Sequence, residues 1–296
     1  MTPPAPPGIK ALVTGAGGQV GRALLAVVPD NVEVIACARA DLDIGSSRAV
    51  RDLVSRHRPA VIINAAAYTA VDKAESEPDA AQRINAEGPR HLAVAARECG
   101  ARLIHISTDF VFDGAASVPY RPDSATNPLS VYGTTKRDGE RAVLENLPGQ
   151  GVVVRTAWVY AATGANFLNT MLRVMRANGA VRVVADQVGT PTAARFFAAT
   201  LWQLATDREI RGVHHWTDAG VASWYDFAVA IAEDGAELGL VSRDVTVTPI
   251  TTADYPTPAR RPAYSVLDKR SLAPLGLSPL HWRQRLRSVL KEIPRA

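Results

Sequence analysis

The stretch VTGAGGQVG, Val13 to Gly21, constrains this chain more than any other part of it. The apolar run IKALVT before it reads as a buried strand. QVGRALLAVVP after it carries helical spacing, so the glycines fall in a strand-to-helix turn. Gly15, Gly18 and Gly21 stand at three-residue intervals. Glycine there lets the backbone approach a pyrophosphate, and the helix N-terminus behind it attracts that charge. The alternative is a plain glycine-rich turn; the strand before and the helix after favour dinucleotide binding.

The same alternation runs on through the first half. VEVIACA, AVIINAAA, ARLIHISTDFVF and GVVVRTAWVY read as further apolar strands. SSRAVRDLVSRHRP and EPDAAQRINAEGPRHLAVAARECG read as helices between them, the second ending at Gly100. Strands apolar on both faces, alternating with helices, predict an α/β fold: a Rossmann-like, doubly wound parallel sheet. After about Tyr160 the rhythm changes to helical pieces, NFLNTMLRVMRA and SWYDFAVAIAEDGAEL, separated by loops rich in Thr, Pro and Gly. VTPITTADYPTPARRP reads as one long proline-rich loop, and loops of that length are usually functional. The expected organisation is a dinucleotide-binding domain over 9–165. A smaller, interleaved C-terminal domain over 166–296 would mainly bind substrate, with segments returning to the first domain. Residues 1–8 read as a disordered leader.

Composition removes several function classes. Hydrophobic residues make up 47% of 296 residues, enough for a sizeable core. No apolar run approaches the ~18 residues that span a bilayer, and the start has no signal-like apolar region. The net charge of +4 comes mostly from scattered arginines, so neither a nucleic-acid arm nor a membrane patch is expected. Cys37 and Cys99 make no framework and read as reduced residues of a cytoplasmic protein. The six histidines show no metal-ligand spacing and read as structural, His105 inside an apolar strand among them. No metal site is expected.

Three further stretches carry chemistry. At the end of the second strand, ACARADLDI offers Arg39 as its first charge. A carboxylate there would suit the ribose of NAD, whereas a guanidinium suits a 2′-phosphate. Arg39 is therefore either a phosphate ligand or a solvated loop charge, with Asp41 and Asp43 close behind. STDFVFDG puts Ser107, Thr108 and Asp109 past the carboxyl end of a strand, the edge where open parallel sheets bind ligands. YGTTK places Tyr132 and Lys136 one helical turn apart on one face. A phenol with a cation in reach becomes a better acid, as ketone reduction requires.

Glycine turn, strand-end hydroxyl and Tyr-x-x-x-Lys, in that order, resemble the short-chain dehydrogenase/reductase family in its extended form. GQVG, NAAAYTAVDKAESEP, STDFVFDG, YGTTK, RTAWVY, DQVGTPT and ARRPAYSVLD extend the resemblance from Ile9 nearly to the C-terminus. It implies an NAD(P)H-dependent reductase acting on the C4 ketone of a thymidine-diphosphate-linked 4-keto-6-deoxy sugar. The cofactor expected is NADPH, with NADH possible. Two rivals are a reductase giving another C4 epimer and a non-catalytic, nucleotide-binding regulatory subunit of the same fold. By resemblance, Tyr132 donates the proton, Lys136 lowers its pKa and holds the nicotinamide ribose, and Thr108 steadies the developing alkoxide. Gln19, Val20, Asp43, Ile44, Ala67, Tyr68 and Thr69 would contact the dinucleotide, alongside Gly15, Gly18, Gly21 and Arg39. Asp109 and Trp158 would contact the sugar; otherwise the one caps a turn and the other fills the core. Asn85 either bends its helix in support of the site or is an ordinary polar position. In ARRPAYS, Arg260 or Arg261 could pair with a diphosphate, and Arg261 is the choice made here. Some relatives are dimers bridged by a metal on acidic side chains. Two of those positions here are Ala23 and Arg195, which points to a monomer or a metal-independent homodimer.

Overall fold

In the computed structural model, residues 8–207 and 209–294 are described. The segment expected to be a leader lies outside them, apart from the exposed Gly8.

Six parallel strands form the central sheet. They include β1 (Ile9–Thr14), β2 (Val32–Cys37), β3 (Val61–Asn64), β4 (Arg102–Thr108) and β5 (Gly151–Thr156), with Gly212–His215 as the sixth. Across the sheet they run Gly212–His215, β5, β4, β3, β1, β2. β1 therefore pairs with β2 on one side and β3 on the other, and the strand order reverses between β1 and β3. Ligands bind at such a reversal, beyond the carboxyl ends of the strands. Helix α1 (Gln19–Ala26) leads from β1 to β2, and α2 (Ser47–His57) from β2 to β3. Ser46 caps α2 by accepting from the Ala49 amide.

β3 and β5 are buried along their whole lengths, which explains their continuous apolar runs. One buried cluster packs Leu24, Ile63, Ile104, Val154, Phe197 and Leu201 on one face of the sheet. Another packs Leu12, Val54, Ile62, Leu92 and Leu103 on the other. The helix Ala194–Thr206 belongs to the first cluster, so the chain returns to the sheet after leaving it. A separate cluster around Tyr160, Leu172, Phe227, Ile231 and Leu286 organises the C-terminal part.

Three elements depart from the sequence reading. The long helix expected before Gly100 is interrupted: Pro78–Gln82 and Gly88–Cys99 are α-helical, and Arg83–Glu87 is a π turn between them. The fifth strand stops at Thr156, because Trp158 takes a left-handed φ of 48° that no strand continues through. The expected proline-rich loop begins as a strand, Thr246–Ile250, parallel to Ala180–Val184. Pro249 is accommodated because this sheet has only two strands, each with an open edge.

Candidate active site

The glycine turn is built for close approach. Gly15 has φ 67°, and a Cβ there would lie 2.5 Å from the Ala66 backbone nitrogen. A Cβ on Gly21 would strike the Gly15 carbonyl oxygen. The turn thus presses against the chain leaving β3, at the reversal of strand order. The N-terminus of α1 has no side-chain cap and no acidic residue in its first turn, so its amides remain available to an anion. Gln19 Oε1 is buried without a hydrogen-bond partner among the described residues. An anionic dinucleotide fits this cradle.

Around the adenosine end the expected contacts divide. Arg39 is exposed. Asp43 is already engaged: Arg83 donates to both of its carboxylate oxygens, at 2.9 and 2.7 Å, and the Gly45 amide donates at 3.0 Å. The Arg83 hydrogen bonds hold the Asp43 carboxyl below its usual range. Ile44 is buried, and its carbonyl oxygen lies 3.0 Å from His91 Nδ1. Arg83 was not singled out by sequence, since it stands 40 residues from Asp43 on a segment read as uniform helix. Ala67 and Tyr68 lie half-buried beyond β3, Thr69 is exposed there, and Val20 is half-buried on α1.

Asn85 sits in the π turn. Its Oδ1 accepts from the Tyr68 amide at 2.8 Å, and its Nδ2 donates to the Tyr68 carbonyl at 3.1 Å and to Thr135 Oγ1 at 3.2 Å. One buried amide thereby ties the loop after β3 to the helix Val131–Asn146, next to Lys136. That helix starts where Ser130 Oγ accepts from the Gly133 amide at 3.2 Å and Glu75 accepts from the Val131 amide at 2.9 Å. Its small residues have a steric reason. A Cβ on Gly133 would meet the Phe110 carbonyl oxygen, and one on Gly139 the Asn85 carbonyl oxygen. Only a bare backbone lets the helix lie so close to the end of β4.

Thr108, Asp109, Tyr132 and Lys136 are thereby brought together. Thr108 Oγ1 donates to Asp109 Oδ1 at 3.0 Å. The Tyr132 ring meets Phe110 edge-on at 5.6 Å. Lys136 is buried; its Nζ donates to the Ile106 carbonyl oxygen at 2.6 Å and lies 3.4 Å from His105 Nε2. Burial pushes the Tyr132 phenol up to about 12, against the pull of the Thr108 hydroxyl. Burial also brings the Lys136 ammonium down to about 8, opposed by Glu140. The lysine is thus turned towards the strand, and burial rather than its charge dominates the phenol. Asp109 is 2% exposed, and its Oδ2 has no hydrogen-bond partner among the described residues. Burial raises its carboxyl to about 6, opposed in part by the Ser265 and Thr108 hydroxyls. An oxygen left in this state suits a ligand hydroxyl.

The far wall is aromatic. Trp158 stacks on Trp224, and Phe167 lies against Trp224 at 4.6 Å. Trp224 escaped the sequence reading because it opens a helix that reads as core. Arg261 is committed to Asp72 through two hydrogen bonds of 3.0 and 2.8 Å, which pin its loop to the residues after β3. Arg260 is exposed and has no ion pair or hydrogen bond among the described residues. Beneath the site, Glu140 takes Arg155 in two hydrogen bonds of 2.8 and 2.7 Å, both side chains buried. Ala23 lies on α1, and Arg195 is paired with Glu292 at 3.1 Å. Among the described residues, no three His, Cys, Asp or Glu side chains cluster as metal ligands would.

Comparison with known proteins shows the family of the chain. The family described as "RmlD substrate binding domain" matches residues 9–295. A dTDP-4-dehydrorhamnose reductase of Streptomyces griseus is 46% identical over 281 residues, covering 93% of this chain and 91% of that protein. The crystal structure of a dTDP-4-dehydrorhamnose reductase from Clostridium acetobutylicum is 42% identical. It superimposes with a TM-score of 0.90 over 96% of this chain and 99% of that one. The enzyme of that name from Bacillus anthracis, solved in complex with NADP, is 34% identical, with a TM-score of 0.90 and the same coverage.

Proposed function

The chain belongs to the RmlD substrate binding domain family, and we propose from its site how its residues carry out that family's reaction. It is an NADP-dependent oxidoreductase that reduces the C4 ketone of dTDP-4-dehydro-L-rhamnose to dTDP-L-rhamnose. The observation that carries the assignment of roles is the convergence of Thr108, Tyr132 and Lys136 at the carboxyl end of β4, beside the glycine turn.

With its pyrophosphate held by the Gly15–Gly21 turn, a reduced nicotinamide dinucleotide would supply the hydride that reduces C4. Tyr132 supplies the proton to the ketone oxygen. The phenol is protonated at neutral pH, as a proton donor must be, but burial raises its pKa to about 12 and makes it a weaker acid than the sequence reading expected. Thr108, whose hydroxyl hydrogen would turn from Asp109 Oδ1, donates a hydrogen bond to the oxygen as charge develops on it. Lys136, on the same helix face, holds the nicotinamide ribose. Asp109 accepts from a sugar hydroxyl through Oδ2, and Trp158, backed by Trp224, forms the wall against the sugar ring. Arg39 meets the 2′-phosphate of the cofactor. Arg260, exposed and with no ion pair or hydrogen bond among the described residues, reaches the sugar-nucleotide diphosphate, while Arg261 holds the loop in place through Asp72. Residues 9–165 mainly hold the dinucleotide and 166–296 mainly the sugar nucleotide, with the helix Ala194–Thr206 and the strand Gly212–His215 returning to the sheet. Among the described residues no helix is long and apolar enough to cross a membrane, and a cytoplasmic protein fits this chemistry.

Purified protein with NADPH and the 4-keto sugar nucleotide tests the assignment. Loss of nicotinamide absorbance, with the rhamno configuration at C4 by proton NMR, is expected. No turnover would favour a non-catalytic subunit, and the opposite C4 configuration a sibling reductase.

A further inference from the structure

The segment 251–265 is fastened to the C-terminal half at both ends and to the first half in its middle. At its start, Asp186 accepts from the Thr252 amide at 2.8 and 2.9 Å and from the Thr252 hydroxyl at 2.7 Å. At its end, the Val188 amide donates to the Ala263 carbonyl at 2.8 Å, and the Ser265 amide to the Val188 carbonyl at 2.7 Å. Between these fastenings, Asp72 is the one hydrogen-bond partner from outside the segment that residues 253–261 have among the described residues. Its Oδ1 accepts from the Ala259 amide at 3.2 Å and from Arg261 Nη1 at 3.0 Å, and its Oδ2 from Arg261 Nη2 at 2.8 Å. One carboxylate therefore grips the residues on either side of Arg260. The Arg261 hydrogen bonds hold the Asp72 carboxyl below its usual range, so it is ionised at neutral pH.

Asp72 itself stands on a short, closely tied segment. It lies in the helix Val71–Ala74, three residues after Thr69. On one side of it, Asn85 holds both the amide and the carbonyl of Tyr68. On the other, Glu75 accepts from the Val131 amide, where the helix carrying Tyr132 and Lys136 begins.

We propose that Asp72 is a positioning residue that couples the two ligand sites. It fixes the loop around Arg260 to the segment that lines the cofactor site, so that a nucleoside diphosphate and NADP each bind more tightly when the other is present. The proposal rests on the reading that residues 67–69 meet the cofactor and Arg260 the diphosphate of the sugar nucleotide. Whichever ligand binds first orders the shared segment, and the second then loses less conformational freedom. Two neighbouring anions repel, so without this link the effect of one on the other would be neutral or reversed. By linkage, the gain is the same in both directions.

Calorimetric titration with oxidised NADP and with dTDP, which carries no ketone to reduce, tests this without turnover. In the wild type, saturating NADP should tighten dTDP binding about tenfold, and saturating dTDP should tighten NADP binding by the same factor. In Asp72→Asn the factor should fall to one or below, while NADP alone binds within a few-fold of wild type and so reports a folded protein. Arg261→Gln breaks the link from the other side and leaves the cofactor segment intact. It should lose the factor equally, and the double variant should lose no more. Arg261→Gln decides the matter alone if Asp72→Asn does not fold. A wild-type factor at or below one overturns the proposal. So does dTDP binding weakened by the same amount with and without NADP, which would make Asp72 only a brace for the loop. Turnover of the 4-keto sugar nucleotide without any coupling would strike the link and leave the reductase reading standing. Failure of dTDP to bind either form would refute the sugar-nucleotide reading and the link with it.

Discussion

Trp158 and Trp224 lie face to face, ring centroids 3.5 Å apart and planes 7° from parallel, and Trp158 does this from a left-handed backbone at φ 48°. For a bulky residue that conformation costs about 1–3 kcal/mol, so the surroundings must hold it. Gly189 comes close to the same ring: a Cβ there would sit 2.7 Å from Trp158 Cε2. Gly189→Ala must therefore displace the ring. The expected result is a rise in KM for the sugar nucleotide of about tenfold, or ~1.4 kcal/mol, with NADPH affinity unchanged. Equal losses for both ligands would show that Trp158 is core and not a sugar wall.

The adenosine end predicts cofactor choice. Arg39 is exposed at the end of β2, and Arg83 occupies the Asp43 carboxylate that would otherwise repel a phosphate. NADPH should be preferred to NADH in kcat/KM. Arg39→Ala should remove one charge-assisted contact worth about 1.5–3 kcal/mol, a loss of roughly 10–150-fold for NADPH and little for NADH. An enzyme that prefers NADH would place Arg39 in solvent.

Much of this was legible in the sequence, for local reasons. The glycine turn, the apolar strands and the Tyr132–Lys136 spacing each follow from a few adjacent residues. What was not legible depends on contacts across the chain. Arg83 meets Asp43 and Arg261 meets Asp72 over 40 and 189 residues, and both look like solvated charges in isolation. His105 read as structural because its neighbours in sequence are apolar; Asn64 and Lys136, from other elements, give it its direction. The π turn at Arg83–Glu87 repeats no pattern that hydrophobic spacing can register. The left-handed backbone at Trp158 hid the break after β5, since only a non-glycine with positive φ separates it from a longer strand.

Asp109 predicts a conflict between stability and function. Its carboxyl is raised to about 6, above the ordinary range near about 4 that it has when unfolded. Between those pH values the native state binds more protons than the unfolded one, so this residue lowers stability as pH rises, by up to roughly 3 kcal/mol. Asp109→Asn cannot ionise. It should melt several degrees higher than wild type at pH 8, lose that advantage by pH 4, and reduce the sugar more slowly at either pH. Melting curves that stay parallel across this range would remove Asp109 from the account.

Arg195 and Glu292 form an exposed ion pair at 3.1 Å, and Ala23 offers no ligand. A divalent ion between copies would have to displace the guanidinium from its carboxylate. We therefore expect a monomer or a homodimer whose mass in light scattering is the same with and without chelator. A chelator-induced fall in mass would show a metal-held assembly.

The chemistry itself is tested on one helix. Tyr132→Phe keeps the ring that meets Phe110 edge-on but removes the proton donor. General acid catalysis is worth about 10²–10⁴-fold, so the single-turnover rate should fall by that order while the protein stays folded and still binds NADPH. Lys136→Met also loses the ribose contact, so rate and NADPH affinity should both fall. Thr108→Val removes one hydrogen bond and no transferable proton, and should cost about tenfold, the ~1 kcal/mol of a single neutral bond or slightly more. Because Tyr132 donates the proton and Lys136 holds the cofactor ribose for one and the same reduction step, the double variant should lose less than the product of the two single losses. A Tyr132→Phe enzyme within a few-fold of wild type would mean that the proton comes from elsewhere, and Asp109, buried beside the phenol and able to hold a proton near neutral pH, would be the group to change next.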